Sequence, residues 1–230
     1  MPTFVQKNIS ADGGSGTTVT VTISAGAAGN LICGSVTWTD PQTLSNVKDN
    51  NGVTYNIVDN LDDAGDAKSM ATFYFPNISG APTSIIATFS ASTTGTRIEV
   101  QEWSGVVITT PLDGHTIQQT SGATVSSGNI TTTVDGDLIY GSCDAAGGSD
   151  TTLTVGSGFT IGNNGSGVGL VICMADESQV QSAHGSIAAT FGCSPSTATC
   201  LVAVMAFKAA AAGGGVAPSA GILGFVEDEW

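Results

Sequence analysis

Positive charge is scarce in this chain. Its 230 residues hold five basic side chains, Lys7, Lys48, Lys68, Arg97 and Lys208, scattered singly against 19 acidic ones, for a formal net charge of -14. Phosphate backbones are gripped by clustered Lys and Arg that displace counterions, so nucleic acid is not expected as a partner, and an anionic lipid surface is disfavoured for the same reason. Charged residues make up only 10% of the chain. The helix formers Glu, Lys, Arg and Gln are correspondingly few, and no convincing amphipathic helix can be traced. Long apolar runs are missing too: the most apolar stretch, Cys200 to Ala212, is interrupted by Lys208 and falls short of the roughly 20 residues that cross a bilayer. The opening Met1-Pro2-Thr3-Phe4-Val5-Gln6-Lys7 has neither the basic nor the apolar region of a secretory signal. The expectation is a soluble protein with no membrane partner.

Reactive chemistry is equally sparse. Histidine occurs twice, at His115 and His184, both read as surface or loop residues. No Gly-x-Ser-x-Gly elbow presents a serine nucleophile, and no Cys/His spacing matches a zinc site. No catalytic, cofactor-binding or metal-binding residue is assigned, and the chain is read as a structural or binding protein rather than an enzyme. Five cysteines leave at least one unpaired within a single chain. Cys33, Cys143 and Cys173 lie in apolar runs and read as buried small hydrophobes. Cys193 and Cys200 flank a hairpin-like loop, Ser194 to Thr199, that brings them close enough for a candidate disulfide.

What the sequence has in abundance is glycine, 31 residues, with serine and threonine between short apolar alternations. Val19, Val21 and Ile23 alternate with threonines, as do Ile85, Ala87 and Phe89, which is the pattern of strands with one buried face. Leu31 to Val36 and Leu201 to Phe207 are apolar on both parities, so they are expected as central strands covered on both sides or lying at a subunit contact. The chain also repeats in order. Val19 to Ile23 matches Ile130 to Val134. Gly29-Asn30-Leu31-Ile32-Cys33-Gly34-Ser35 matches Gly136-Asp137-Leu138-Ile139-Tyr140-Gly141-Ser142. Ser84 to Phe89 matches Ser186 to Phe191, and Trp103 falls at the place of Phe207. These matches predict an all-β, jelly-roll-like β-sandwich over residues 1–208, internally duplicated with half-repeats of about 15–104 and 120–208, and built as one domain rather than two lobes. The stretch from Ser104 to Asp113 between the halves is too apolar for a free linker and should pack on the body.

The two Gly-Asn/Asp-Leu openings, the midpoint Glu102-Trp103-Ser104-Gly105 followed by Pro111-Leu112-Asp113, and the closing Val204-Met205-Ala206-Phe207-Lys208 resemble a broad set of bacterial and phage internally duplicated β-sandwich proteins. The resemblance covers roughly residues 15–210. It implies a role on a surface or in a virion, an extracellular or virion localisation, and no transferable catalytic residues.

Two features remain as candidate ligand sites. The acidic stretch Asp59-Asn60-Leu61-Asp62-Asp63-Ala64-Gly65-Asp66 gathers oxygens suited to Ca²⁺ but places Leu61 where an EF-hand needs a ligand, so a solvated turn is the preferred reading. Arg97, Glu99, Gln101 and Trp103 share one face of a strand, a polar strip with an aromatic that suits a sugar; the competing account is a half-exposed strand with an ion pair and a core tryptophan. Glu99 and Glu102, three residues apart, fall on opposite faces, which argues against a glycosidase pair. Beyond Lys208 the composition changes. Residues 209–221 form an Ala/Gly-rich spacer, and 222–230 carry Ile222, Leu223, Phe225, Val226 and Trp230, an apolar set suited to an assembly interface with copies of the same chain or other proteins of one particle. The expected function is a structural assembly subunit, such as a capsid decoration or tail protein or an extracellular filament subunit. A carbohydrate-binding surface module is the alternative.

Overall fold

The computed structural model describes residues 1–39, 41–63, 65, 67–145, 150–196 and 198–211. The protein is all-β, with no helix among the described residues. The first half forms β1 (Thr3–Ile9), β2 (Gly14–Thr22), β3 (Leu31–Thr39), β4 (Leu44–Asp49), β5 (Asn56–Asp63), β6 (Lys68–Phe75) and β7 (Ser84–Ser104). The second forms β8 (Leu112–Ser121), β9 (Thr124–Ser126), β10 (Ile130–Thr131), β11 (Leu138–Ala145), β12 (Thr152–Thr154), β13 (Thr160–Gly165), β14 (Cys173–Val180), β15 (Ser186–Ile187), β16 (Thr190–Ser194) and β17 (Thr199–Phe207).

The main sheet of the first half has the order β1-β7-β3-β6-β5, and that of the second β8-β17-β11-β14-β13. Position by position these are the same order. Two further strands, β2 and β4, pair with the first part of β7, and their counterparts β9 and β12 pair with β16. The register agrees as well: Leu31 lies opposite Trp103, and Leu138 lies opposite Phe207. Gly29 N and Ile78 N bond to Ile78 O and Asn30 O, while Gly136 N and Gln181 N bond to Gln181 O and Asp137 O, the same exchange in both halves. Both glycines sit in the left-handed region, at φ 87° and 84°, where a side chain would be strained.

The repeat differs in detail from its sequence reading. Val21 pairs with Ile85 and Ile130 pairs with Ile187, so Ile130 is the counterpart of Val21 rather than of Val19. Both halves also begin earlier than residues 15 and 120, because β1 and β8 occupy equivalent edges. The halves do not supply one sheet each to a shared sandwich. Each closes its own pair of layers, and the two main sheets then pack face to face, giving four layers. In the first half Val19, Val21, Val47, Ile85 and Phe89 from the outer strands meet Ile32, Val36, Trp38, Phe73 and Val100 from the inner ones. In the second, Val125, Leu153, Phe191 and Cys193 meet Ile139, Cys143, Cys173, Val202 and Val204. Each such fully buried large side chain contributes roughly 1.5–3 kcal/mol.

This layering explains why β3, β11 and β17 are buried along almost their whole length. One parity fills the sandwich of its own half, and the other faces the opposite half. It also fixes Gly34 and its counterpart Gly141. A Cβ on Gly34 would lie 2.2 Å from Glu99 O, and one on Gly141 would lie 2.5 Å from Ala189 Cβ. The connector after β7 packs on the body, with Val106 bridging Ala209 and Val107 N donating to Lys208 O.

Cys193 and Cys200 do not lie on the arms of a hairpin. β16 already has β9 and β12 on its two edges, so the chain crosses from the outer layer to the inner one before β17 begins. Their Sγ atoms nevertheless approach to 3.5 Å, and both thiols are free.

Candidate functional site

The seam between the two main sheets concentrates the buried polar chemistry of the molecule. Alternation along β7 sends Arg97, Glu99, Gln101 and Trp103 to this side, as their spacing predicts. The face is covered by the second half, however, and Glu99 and Gln101 have no exposed surface. They form no open sugar-binding strip. The reason is that strand periodicity fixes which residues share a face but not what packs on it.

At the centre, Ser35 and its counterpart Ser142 bring their hydroxyls to 2.7 Å, so a pseudo-twofold axis relating the halves passes between them. Both also lie within bonding distance of Glu99 Oε1, at 2.9 and 2.7 Å. Two hydroxyl protons cannot fill three short oxygen–oxygen contacts. Burial pushes the Glu99 carboxyl well above the ordinary range, with Asp176 adding repulsion, while Ser142, Ser35 and Arg97 pull it back. Burial thus favours the uncharged form of the Glu99 carboxyl in the seam.

Asp176, on β14, is the charged partner. Gln101 Nε2 and Asn163 N donate to Oδ1 at 2.7 and 2.6 Å, and Asn163 Nδ2 donates to Oδ2 at 2.7 Å. Burial raises this carboxyl to about 6, and those donors together with Lys7 keep it from rising further. A bulge between Ile161 and Asn164 turns Gly162 and Asn163 toward it. Lys7 donates to Gly162 O. Arg97 Nη1 donates to Gly165 O and Ile172 O at 2.7 and 2.8 Å and lies 3.5 Å from Asp12 Oδ1. Thr37 Oγ1 donates to Asp144 Oδ2 at 2.7 Å, and burial raises the Asp144 carboxyl against the pull of Lys68, Thr37 and Arg97. No side chain fits at two of these positions: a Cβ on Gly162 would fall 1.6 Å from Asp176 Oδ1, and one on Gly165 2.4 Å from Arg97 Cζ.

The other flank of the seam is apolar. The counterparts of Arg97, Glu99 and Gln101 on β17 are Leu201, Ala203 and Met205, and the first two cluster with Met70, Leu61 and Ile117. Leu31, Leu138, Trp103, Tyr140 and Phe207 close one end. Sequence reasoning passed over Ser35, Ser142, Asn163 and Asp176. Ser35 and Ser142 were marked by being polar residues within strands otherwise largely apolar on both parities, whereas Asn163 and Asp176 lie in polar strands that carry no such signal.

Where the seam meets solvent, between β1 and β13, it opens into a cleft of about 400 Å³ lined by Phe4, Lys7, Gln101, Trp103, Ile161, Gly162, Ser178 and Gln179. Phe4 and Trp103 meet edge to face at 5.5 Å. Trp103 Nε1 donates to Gln101 Oε1 at 2.8 Å, so the ring is tied through Gln101 to Asp176.

The remaining candidates lie apart from this site. Glu102 points to the other side of β7, where Asn30 Nδ2 and Ala27 N donate to it, so Glu99 and Glu102 do not converge. His115 and His184 pair at the surface with Asp59 and Asp135, at 3.0 and 2.6 Å. Most of the acidic stretch is strand rather than turn, since residues 59–63 belong to β5. Asp59 serves His115, Asp62 accepts from Ser69 Oγ and Asp63 accepts from Gly65 N. These carboxylates are thereby directed to separate partners; Ala64 and Asp66 lie outside the described residues. Ile222, Leu223, Phe225, Val226 and Trp230 also lie outside them. No family model matches the chain, and no curated protein and no solved structure matches it either.

Proposed function

We propose that the protein is a structural assembly subunit, a virion component such as a capsid decoration or tail protein or a subunit of an extracellular filament, joined to its neighbours through residues 222–230. The observation that supports this reading is where the body ends. After β17 the chain is held by Ala210 N donating to Gly105 O at 2.9 Å and runs beside Met1, whose surface is 76% exposed. Ala211, the last described residue, lies on a surface it shares with Met1 and Val134. Spacer residues 212–221 reach on the order of 30 Å when extended at about 3.3 Å per residue, enough to carry Ile222 to Trp230 onto a neighbouring copy. Many weak contacts repeated in a symmetric particle offset the entropy of ordering each arm.

The test compares the full chain with a chain ending at Ala211, using particle imaging and sedimentation. The full chain should form particles or filaments, and the truncated one should remain a folded, strand-rich single subunit. Assembly by the truncated chain refutes the proposal.

A further inference from the structure

We infer that the cleft between β1 and β13 binds one ring of an acidic sugar, such as a uronic acid unit of a glycan, with its carboxylate on Lys7 and an apolar ring face against Phe4 and Trp103. This goes beyond the assembly role and does not depend on it.

The size of the cleft, about 400 Å³, lies in the range of small-molecule sites. Its walls differ in chemistry. Phe4, 46% exposed, meets the nearly buried Trp103 ring edge to face, and the two form an apolar corner on which the C–H groups of a sugar ring can pack. The facing side offers hydrogen-bonding groups that the fold leaves unspent: among the described residues the side chains of Ser178 and Gln179 make no hydrogen bond. Lys7 has three ammonium protons, and its described bond uses one, to the neutral carbonyl of Gly162. No carboxylate among the described residues forms an ion pair with it, although the protein carries 19 acidic side chains against five basic ones. An ammonium at the mouth of an apolar cleft, with donors to spare, selects a carboxylate, because charge-assisted hydrogen bonds are the strong ones. Asp176 behind the wall makes a second negative charge on the ligand unfavourable, which argues against phosphates.

The site is also built before the ligand arrives. Trp103 is fixed by Gln101, and Gln101 by Asp176. A wall held in this way loses little freedom when a ring settles on it.

The test is titration of the full chain with glucuronate and, separately, glucose, following the indole N–H of Trp103 by two-dimensional NMR, with Trp38 as a buried reference. Glucuronate should shift the Trp103 signal saturably with a Kd of about 1–10 mM, and glucose should bind at least about tenfold more weakly, the factor that 1.4 kcal/mol brings. Lys7→Met should remove the preference for the acid, and Phe4→Ala should weaken both sugars. Phe4 and Lys7 lie on an edge strand, so an unchanged Trp38 signal verifies that each variant is folded. No saturable shift with either sugar, equal binding of the two, or an undiminished preference in Lys7→Met would overturn the inference.

Discussion

With the Glu99 carboxyl raised by burial, the protein should lose stability as the solution becomes alkaline. In the unfolded chain this carboxyl ionises near 4.5, whereas in the seam burial holds it protonated well above that. Between the two, the native state retains a proton that the unfolded state has released, so stability falls with rising pH by about 1.4 kcal/mol per unit for one such group. Asp176 acts in the same direction. Raised from 3.8 to about 6, it contributes fully below about pH 4 and nothing above about pH 6, a difference of roughly 3 kcal/mol. Glu99→Gln separates the two contributions. The amide retains Oε1 as acceptor for Ser35 and Ser142, puts NH₂ where Oε2 has no partner, and cannot ionise. Any cost of the amide in the contact between Ser35 and Ser142 is the same at every pH, so the readout is how the difference between variant and native protein changes. Urea unfolding at intervals from about pH 5 to pH 9 should show the native protein weakening, with the variant gaining on it by up to about 1.4 kcal/mol per unit. Parallel profiles would mean that Glu99 is already charged in the native seam, and the reasoning would fail.

Three other outcomes follow from the geometry. Gly162→Ala forces a methyl onto Asp176 and should cost about 3 kcal/mol or prevent the halves from docking, whereas Gly114→Ala, whose Cβ would lie 3.4 Å from Ile130, should change stability by less than about 0.5 kcal/mol in the same denaturation series. Mild oxidation with a small-molecule disulfide should link Cys193 to Cys200, seen as a peptide cross-link in non-reducing mass spectrometry. The closed loop of eight residues should raise stability by about 2.5 kcal/mol, and a Cys193→Ser chain should show neither effect. Glu177, raised to about 7 by burial, accepts from Gly156 N and Thr190 N and so ties β14 to the outer layer of its half. Amide exchange at those two positions should therefore quicken between about pH 4.5 and about pH 7 more than exchange at Gly29 and Gly136, beyond the ordinary base catalysis that all four share.

The strands that were legible in the sequence are those whose residues meet a simple rule. Leu201 to Phe207 is apolar on both parities because both its faces are covered. Gly29 and Gly136 announce equal turns because no other residue accepts that φ without strain. β1 was not legible, since nearly all its side chains are exposed or only half-buried and no alternation marks it. β8 escaped for a similar reason. The shared face of Arg97, Glu99, Gln101 and Trp103 could be read, but its burial could not, because the covering groups, Asp176, Asn163 and Gly165, lie more than 60 positions away. The approach of Cys193 to Cys200 was visible from their spacing. The layer change between them depends on β9 and β12 occupying the edges of β16, and no local pattern records that.

The pseudo-twofold axis through Ser35 and Ser142 has a consequence for how the halves recognise each other. In a dimer of identical chains every interfacial contact occurs twice, so a residue that suits one flank must suit the other as well. Covalent fusion removes that obligation. Here one flank carries Arg97, Glu99 and Gln101 and the other Leu201, Ala203 and Met205, and each set meets only its proper opposite. Two first halves docked in the same manner would set Arg97 against Leu61 and the cationic Lys68, the positions equivalent to Gly165 and Ile172. Two second halves would lay Ala203 and Met205 over Asp176. Each half is thus specific for its covalent partner and a poor match for a second copy of itself, which steers this face away from self-association.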